Sequence, residues 1–189
     1  MSNESAGHAA GSAYLLVFAA TLAGLLPHWP NFTPVFGAML LGGARLSRRD
    51  ALWYPLVAWG ACVALQARWI YHSPLGWGSV AWALAGMGPM ILAGAGLRHR
   101  AGKAWLAVAA TAGATGFFLI SNFGVWWGGV MYAKTWAGLV ACYLAGVPFY
   151  GNSVLAGLLF GALLLAAHDA AYAALARRLP EPALARGRR

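Results

Sequence analysis

The segment PHWPNFTPVFG, residues 27–37, combines hydrogen-bonding and aromatic side chains in a stretch whose three prolines exclude a regular helix. His28, Asn31 and Thr33 can take part in hydrogen bonds. Trp29 and Phe32 offer flat apolar faces on which a ring can stack. These residue types suit the binding of a small polar, aromatic solute, and they are also compatible with a simple turn between helices.

A second stretch with the same combination is residues 121–152, SNFGVWWGGVMYAKTWAGLVACYLAGVPFYGN. Its hydrogen-bonding candidates are Asn122, Lys134 and Asn152. An aromatic belt at the membrane surface explains part of its aromatic content but not these polar residues. We expect a short helix over 135–145 with Thr135 as its N-cap, within a long outward-facing loop. The stacking candidates here are Trp126, Trp127 and Tyr132.

Signatures of catalysis and of metal binding are missing from the sequence. There is no nucleophile elbow and no zinc-type histidine pair. The segment GLRHRAGKA, residues 96–104, resembles a phosphate loop, but its spacing is wrong and Ala104 replaces the required Ser or Thr. Cys62 and Cys142 do not make a disulfide framework and are interpreted as small apolar residues. We therefore predict neither an enzyme nor a bound cofactor or metal.

The composition indicates which environment positions these residues. The chain is 61% hydrophobic and only 9% charged, against about 25% charged residues in typical soluble domains. The net charge of +9 could indicate nucleic-acid binding. However, the basic residues form short clusters between apolar runs, as they do in the loops of membrane proteins. We therefore expect an integral membrane protein whose partner is the lipid bilayer and not a nucleic acid.

Apolar runs predict an all-α membrane protein with six transmembrane helices in one domain, residues 1–176, followed by a basic tail, residues 177–189. The predicted spans are 9–27, 34–46, 51–70, 79–97, 104–121 and 152–175. Eleven of the thirteen basic residues lie at the end of spans 2, 4 and 6 or after them, the exceptions being Arg68 and Lys134, which predicts that this side and both termini are cytoplasmic. The N-terminus lacks the basic start of a cleavable signal peptide and is expected to remain as the first span.

The second predicted span is too short for a bilayer. Residues 34–46 rise about 20 Å as a helix, whereas the hydrocarbon core is about 30 Å thick. If Arg45 marks its cytoplasmic end, residues 27–34 lie at membrane depth. Irregular backbone is tolerated there only when it is buried in protein or lines a wet cavity. The sequence therefore predicts an outward-facing cavity, the alternative being a tilted helix in a thinner bilayer.

Two further features predict contacts between helices. Asp169 lies inside the last span, where an acid needs a partner, and we expect it to pair with a basic residue from another span. In the first span, Ala19 with Ala23 and Ala20 with Gly24 give the small-xxx-small spacing that allows close approach of another helix. That helix could belong to this chain or to another subunit.

Four segments carry a family resemblance: PHWPNFTPVFGAMLLGG, FFLISNFGVWWGG, YAKTWAGLVACYLAGVPFYGN and the closing apolar helix. Over residues 26–175 they resemble a bacterial family of transport proteins that is similar to the S components of ECF-type vitamin transporters. The resemblance implies a six-helix bundle in the inner membrane that binds a vitamin or metal from outside. It also implies a separate coupling subunit and ATPases, with the Ala19–Ala23 face as the contact.

The sequence departs from that resemblance in two places. Family members often carry an acid shortly after the residue matching Asn152, whereas this chain has Ala156 and Gly157. The N-terminal MSNES lacks the histidine of nickel and cobalt S components, which disfavours metal transport. A solitary S component for vitamin B12 binds cobalt through a cysteine near its outer face, and Cys62 could take a similar role.

These observations predict a protein that captures a small aromatic or heterocyclic solute from outside. The expected binding residues are His28, Trp29, Asn31, Phe32, Thr33, Arg68, Asn122, Trp126, Trp127, Tyr132, Lys134 and Asn152. Lys134 or Arg68 would meet an anionic group of the solute. A non-transporting scaffold or assembly protein would instead have packed side chains and no cavity. A membrane-embedded enzyme would use His28 or the His168–Asp169 pair.

Overall fold

The computed structural model describes residues 3–70, 72, 74, 76–100 and 102–178, and the predicted tail beyond residue 178 lies outside these ranges. The described residues form α-helices joined by short segments, with no strand among them. The helices are α1 (Asn3–Ala23), α2 (Pro34–Arg45), α3 (Arg48–Leu65), α4 (Trp77–Gly96), α5 (Lys103–Gly128) and α6 (Trp136–Arg178). A π-helical turn, Gln66–Ile70, extends α3, and a 3₁₀ turn, Leu97–His99, extends α4.

Three helices of the described chain are long and apolar enough to cross a membrane. They are α4 with its 3₁₀ turn (Trp77–His99), α5 (Lys103–Gly128) and most of α6 (Trp136–Leu175). Gly11–Ala23 is a shorter apolar helix. This supports the prediction of an all-helical membrane protein, with three rather than six helices meeting the requirements of length and composition.

The prediction of a long outer loop at residues 122–151 is wrong. Helix α5 continues to Gly128 and α6 already begins at Trp136, so most of this stretch is helical. The hydroxyl oxygen of Thr135 accepts a hydrogen bond from the amide of Gly138 at 3.1 Å, which confirms the predicted N-cap. The helix does not end at residue 145 as predicted. It continues to Arg178, with Pro148 inside it. At the other end of the chain, α1 ends at Ala23, before the predicted residue 27.

Helix α2 is the centre of the bundle. All ten residues from 35 to 44 are buried, and α2 packs against α1, α3, α4 and α6. Its start is defined by Thr33, whose hydroxyl accepts from the amide of Val35 at 3.4 Å, and by Pro34 at the first helical position. A helix that is apolar on all sides lies in a protein core or in a membrane, and the contacts of α2 show that it is surrounded by protein. Because other helices enclose α2, the bilayer does not set its length.

Glycines allow the helices to approach α2 at backbone distance. A Cβ atom on Gly43 would lie 2.1 Å from the carbonyl oxygen of Ile91 in α4. A Cβ on Gly94 would lie 2.3 Å from the carbonyl oxygen of Leu40. Gly37 makes an equally close approach to the backbone of α6. Small residues at such crossings are the usual basis of helix packing in membranes, where lipid provides no hydrophobic driving force.

The segment between α1 and α2 lies beside the middle of α6. The Nδ2 atom of Asn152 donates to the carbonyl oxygen of Pro30 at 2.9 Å. Asn152 follows Trp136 by a length of helix that rises about 24 Å. The proline-rich segment therefore lies far from the N-terminal end of α6. It also lies far from the C-terminal end of α5, because the hydroxyl of Thr115 in α5 is already 3.0 Å from the hydroxyl of Tyr150 in α6.

Candidate functional site

A cavity of about 700 Å³ lies where α1 ends and α2 begins. Helices α3, α4 and α5 complete its wall. The residues that line it are Thr21, Gly24, Leu25, Leu26, Pro27, His28, Asn31, Thr33, Val35, Phe36, Trp59, Cys62, Val63, Gln66, Ile70, Ala83, Met87 and Phe117. The polar side chains of the proline-rich segment, His28, Asn31 and Thr33, are on the wall of this cavity.

Three of the predicted binding residues, His28, Asn31 and Thr33, line this cavity. Thr33 is buried and is held as the N-cap of α2. Asn31 has φ of 60°, in the left-handed region that asparagine tolerates better than most residues. Asn152 does not line the cavity, but its hydrogen bond to Pro30 holds the backbone next to Asn31. The fold thus gives the segment a defined conformation.

His28 and Gln66 share one backbone acceptor at the edge of the cavity. The Nε2 atom of Gln66 donates to the carbonyl oxygen of Gly24 at 3.3 Å, and Nε2 of His28 is 3.3 Å from the same oxygen. The other ring nitrogen of His28 is 2.9 Å from the carbonyl oxygen of Trp29. A neutral imidazole has one N–H. It therefore donates to only one of these two oxygens, and Gln66 donates to Gly24 in either tautomer.

Sequence reasoning missed Gln66, Thr21 and Trp59 as cavity residues. Of these, Gln66 could have been predicted from the sequence, because a lone amide inside an apolar span needs a hydrogen-bond partner or a polar cavity. The hydroxyl of Thr21 donates to the carbonyl oxygen of Val17 at 3.0 Å, so its proton is already used within α1. Cys62 is buried and lines the wall.

Trp29 and Phe32 point to a different surface. They line an apolar groove of about 670 Å³ on the other side of the proline-rich segment, together with Ala23 and Phe160. The ring of Phe32 packs 5.5 Å from the ring of Phe160, measured between centroids. The side chain of Trp29 is 74% exposed. The aromatic rings of the cavity wall are those of Trp59, Phe36 and Phe117, and Trp29 and Phe32 are not among them.

Trp126, Trp127 and Lys134 lie in a third place, a recess of about 350 Å³ near the connection between α5 and α6. The ammonium group of Lys134 donates to the carbonyl oxygens of Trp126 and Gly129, the second at 2.6 Å. The indole nitrogen of Trp126 donates to the carbonyl oxygen of Ala133 at 2.9 Å. These contacts satisfy carbonyls at the end of α5. In the structure, Trp126 and Lys134 thus stabilise the connection between α5 and α6.

The remaining predicted residues also lie outside the cavity wall. Asn122 donates to the carbonyl oxygen of Phe118 at 2.8 Å and packs against Gly146, at the contact between α5 and α6. Arg68 is exposed, with its guanidinium 5.9 Å from the ring centre of Trp69. Tyr132 is in the connection between α5 and α6, is half-buried, and does not line the cavity. The expected single constellation is thus divided among separate surfaces.

The two small-residue pairs of α1 have different surroundings. Ala20 is buried, and a Cβ on Gly24 would lie 2.8 Å from Val35, so this pair packs against α2 within the chain. Ala19 is exposed, and Ala23 lines the apolar groove. The Ala19–Ala23 face is therefore the one that remains available to lipid or to another subunit.

The predicted pairing of Asp169 is confirmed. Arg45, at the end of α2, lies 3.0 Å from Asp169 of α6 through Nη2 and Oδ1. The neighbouring His168 points elsewhere, and its Nδ1 is 2.9 Å from the hydroxyl of Ser12. His168 and Asp169 thus have different partners, and neither lies at the cavity. Within the described ranges, no three His, Cys, Asp or Glu side chains cluster so that they could hold a metal ion.

The length and composition of three helices indicate an all-helical membrane protein, and a partly open cavity with polar side chains on its wall lies between its helices. The chain belongs to DUF6580, a family of unknown function, whose sequence profile matches residues 6–182. No curated protein and no solved structure matches the chain. These comparisons contain nothing that links the family to the S components of ECF transporters.

Proposed function

We propose that this protein binds a small, uncharged heterocyclic or vitamin-like solute in the 700 Å³ cavity and serves its uptake, in the manner of an S component. The single observation that carries the proposal is the cavity itself, with His28, Asn31 and Gln66 on its wall. A scaffold protein has no need of such a space, because packed side chains would stabilise it better. The cavity therefore favours binding over a purely structural function.

The size and chemistry of the cavity indicate the class of solute. Small-molecule sites have volumes of about 300–1,000 Å³ and combine apolar walls with a few polar groups. The described residues that line this cavity include no Asp, Glu, Lys or Arg, and its polar groups are amides, hydroxyls and an imidazole. Trp59, Phe36 and Phe117 supply flat apolar faces. These properties fit a flat solute that forms hydrogen bonds and carries no net charge.

The proposal includes six membrane crossings in the bacterial inner membrane, with both termini cytoplasmic. The contacts of the basic residues support it. Arg98, after α4, donates to the carbonyl oxygen of Leu46, after α2, at 2.7 Å, while Arg45 pairs with Asp169 of α6. Basic clusters from different loops thus meet at one end of the bundle, and the cavity lies towards the other end. By the positive-inside rule the cavity faces outward.

Uptake also needs an energy source. The sequence has no nucleotide-binding motif, so we propose that a separate ECF-type coupling subunit and ATPases supply it. The exposed Ala19 and the apolar side chains around it, Leu15, Phe18 and Leu22, give a surface for such a subunit. Their exposure in a single chain is compatible with this contact.

The test is to purify the protein in lipid nanodiscs and identify small molecules that co-purify with it by mass spectrometry. The variant Asn31→Gly with Gln66→Met removes two polar groups from the cavity while glycine keeps the backbone of residue 31 unstrained. The matched control is Thr111→Val, on the exposed face of α5. We expect a bound heterocycle in the wild type and the control but not in the double variant. Equal retention by all three proteins would refute the site.

A further inference from the structure

A second recess, of about 600 Å³, lies at the opposite end of the bundle from the cavity. Its wall is formed by the end of α2, the connection from α4 to α5, and the C-terminal part of α6. Four cationic side chains, those of Arg45, Arg98, Arg100 and Lys103, line it against the single carboxylate of Asp169. This concentration of positive charge is independent of the proposed solute site.

Two of the four cations are held in place by protein groups. The guanidinium of Arg98 donates from Nε to the carbonyl oxygen of Gly43 at 2.8 Å and from Nη2 to that of Leu46 at 2.7 Å. Arg45 pairs with Asp169, but the side chains are 29% and 59% exposed. An ion pair this accessible to solvent is weak. Arg45 can therefore share its charge with a ligand in the recess.

The other two cations lack a carboxylate partner in the described part of the chain. Arg100 lies over the ring of Trp105, with Cζ 4.2 Å from the ring centre. Lys103 is the first residue of α5, and Gly102 before it provides no side-chain cap. Neither residue forms an ion pair within the described ranges. Both side chains are exposed and belong to the wall of the recess.

Apart from His99 and Gly102, the rest of the wall is apolar. Leu97 and Leu106 lie beside the cations, and Leu165, Ala162 and Ala166 of α6 face them across the recess. A free inorganic anion would use only the charged part of this surface. An amphiphile would use both parts, with its charged head on the cations and its chains along the leucines and alanines.

The geometry points to a binding site for the phosphate group of an anionic phospholipid. Arginine and lysine are the residues that recognise phosphate, through charge-assisted hydrogen bonds. The recess lies at the end that the charge pattern predicts to be cytoplasmic, where basic pockets between helices bind lipid headgroups. The lipid would bridge α2, the α4–α5 connection and α6, and so hold the cytoplasmic end of the bundle together.

Binding in the recess can be distinguished from attraction by the general excess of basic residues on the cytoplasmic side. Arg49 and Arg177 are exposed, near the start of α3 and near the end of α6, and neither lines the recess. If only diffuse charge attracts the lipid, removing Arg49 and Arg177 has the same effect as removing Arg100 and Lys103. If the recess binds the lipid, removing Arg100 and Lys103 weakens binding more than removing Arg49 and Arg177.

The experiment is a lipid titration of the purified full-length protein in detergent, followed by native mass spectrometry. The probes are phosphatidylglycerol, phosphatidylcholine and inorganic phosphate at matched phosphate concentration. The variants are Arg100→Gln with Lys103→Gln and, as control, Arg49→Gln with Arg177→Gln. We expect the wild type and the control to retain phosphatidylglycerol in preference to phosphatidylcholine. The recess variant should bind it about tenfold more weakly, as expected when charge-assisted hydrogen bonds are removed.

Two results would overturn the proposal. Equal weakening in both double variants would show that the attraction is diffuse. Displacement of phosphatidylglycerol by inorganic phosphate at matched concentration would show that the recess takes the free anion and that its apolar wall contributes nothing. Circular dichroism of each variant checks that the helices are intact, so that loss of lipid is not loss of fold.

Discussion

Asn152 of α6 donates a hydrogen bond to the carbonyl oxygen of Pro30 at 2.9 Å and thereby fixes the proline-rich segment beside the middle of the longest helix. Proline leaves no amide to be satisfied at that position, and Asn152 satisfies a carbonyl next to it. The bond explains how irregular backbone is kept at this depth. Asn31, the next residue, lies at the wall of the cavity.

Replacing Asn152 with Ala should weaken solute binding by loosening this segment. Loss of the hydrogen bond should also lower the free energy of unfolding by about 1 kcal/mol. The control is Gly151→Ala, since a Cβ on Gly151 meets nothing within 4 Å. Thermal unfolding and an equilibrium titration with the co-purified solute measure the two effects. Unchanged affinity in Asn152→Ala would show that the segment does not depend on this bond for its conformation.

Gly94→Ala should destabilise the bundle by about 1–3 kcal/mol, the usual cost of overpacking a core. The reason is that its new Cβ would lie 2.3 Å from the carbonyl oxygen of Leu40 and force α2 and α4 apart. Gly88→Ala in the same helix meets nothing within 4 Å and should be neutral or slightly stabilising. Unfolding in increasing denaturant compares the pair, and equal midpoints would contradict the close crossing of α2 and α4.

Lys134→Met should leave solute binding unchanged, although the sequence suggested Lys134 as a ligand for an anionic group. The structure uses its ammonium to satisfy carbonyls at the end of α5, away from the cavity. We therefore expect a lower unfolding temperature, corresponding to about 1 kcal/mol. The same titration and melting experiments apply. Loss of binding in a variant with normal stability would return Lys134 to the solute site.

Asp50 should make the stability of the protein depend on pH in the acid range. Its carboxylate, in the first turn of α3 and before the predicted span 51–70, accepts hydrogen bonds from the hydroxyls of Tyr14 and Ser47. These bonds, that from Tyr14 first, lower its pKa below the ordinary value. The stabilisation is thus present above the unfolded-state pKa of about 4 and is lost as pH falls through the folded-state pKa.

Melting temperatures between pH 7 and pH 3 measure this effect. The wild type should lose stability as the carboxylate is protonated, and Asp50→Asn should lose less over the same interval. Parallel curves for the two proteins would show that Asp50 contributes nothing to the acid transition. The matched comparison is Ser47→Ala, which keeps the carboxylate and the Tyr14 hydroxyl but removes one donor.

The sequence was sufficient to predict the helical class and the pairing of Asp169 with a basic residue, because an apolar run satisfies its backbone as a helix and an acid within it needs a partner. It was not sufficient for residues 122–151, where glycine and aromatic residues suggested a loop while tertiary contacts support helix through Pro148. The enclosure of α2 is a property of the whole bundle. Likewise, spacing alone could not show that Lys134 closes a turn or that Gln66 reaches the cavity.

The most direct test of the proposed function is an electron-density map of crystals grown with the co-purified solute. We expect density for one molecule inside the cavity, in contact with Asn31 and Gln66 and beside the ring of Trp59. A cavity filled by side chains, or a solute seated instead in the groove of Trp29 and Phe32, would contradict it.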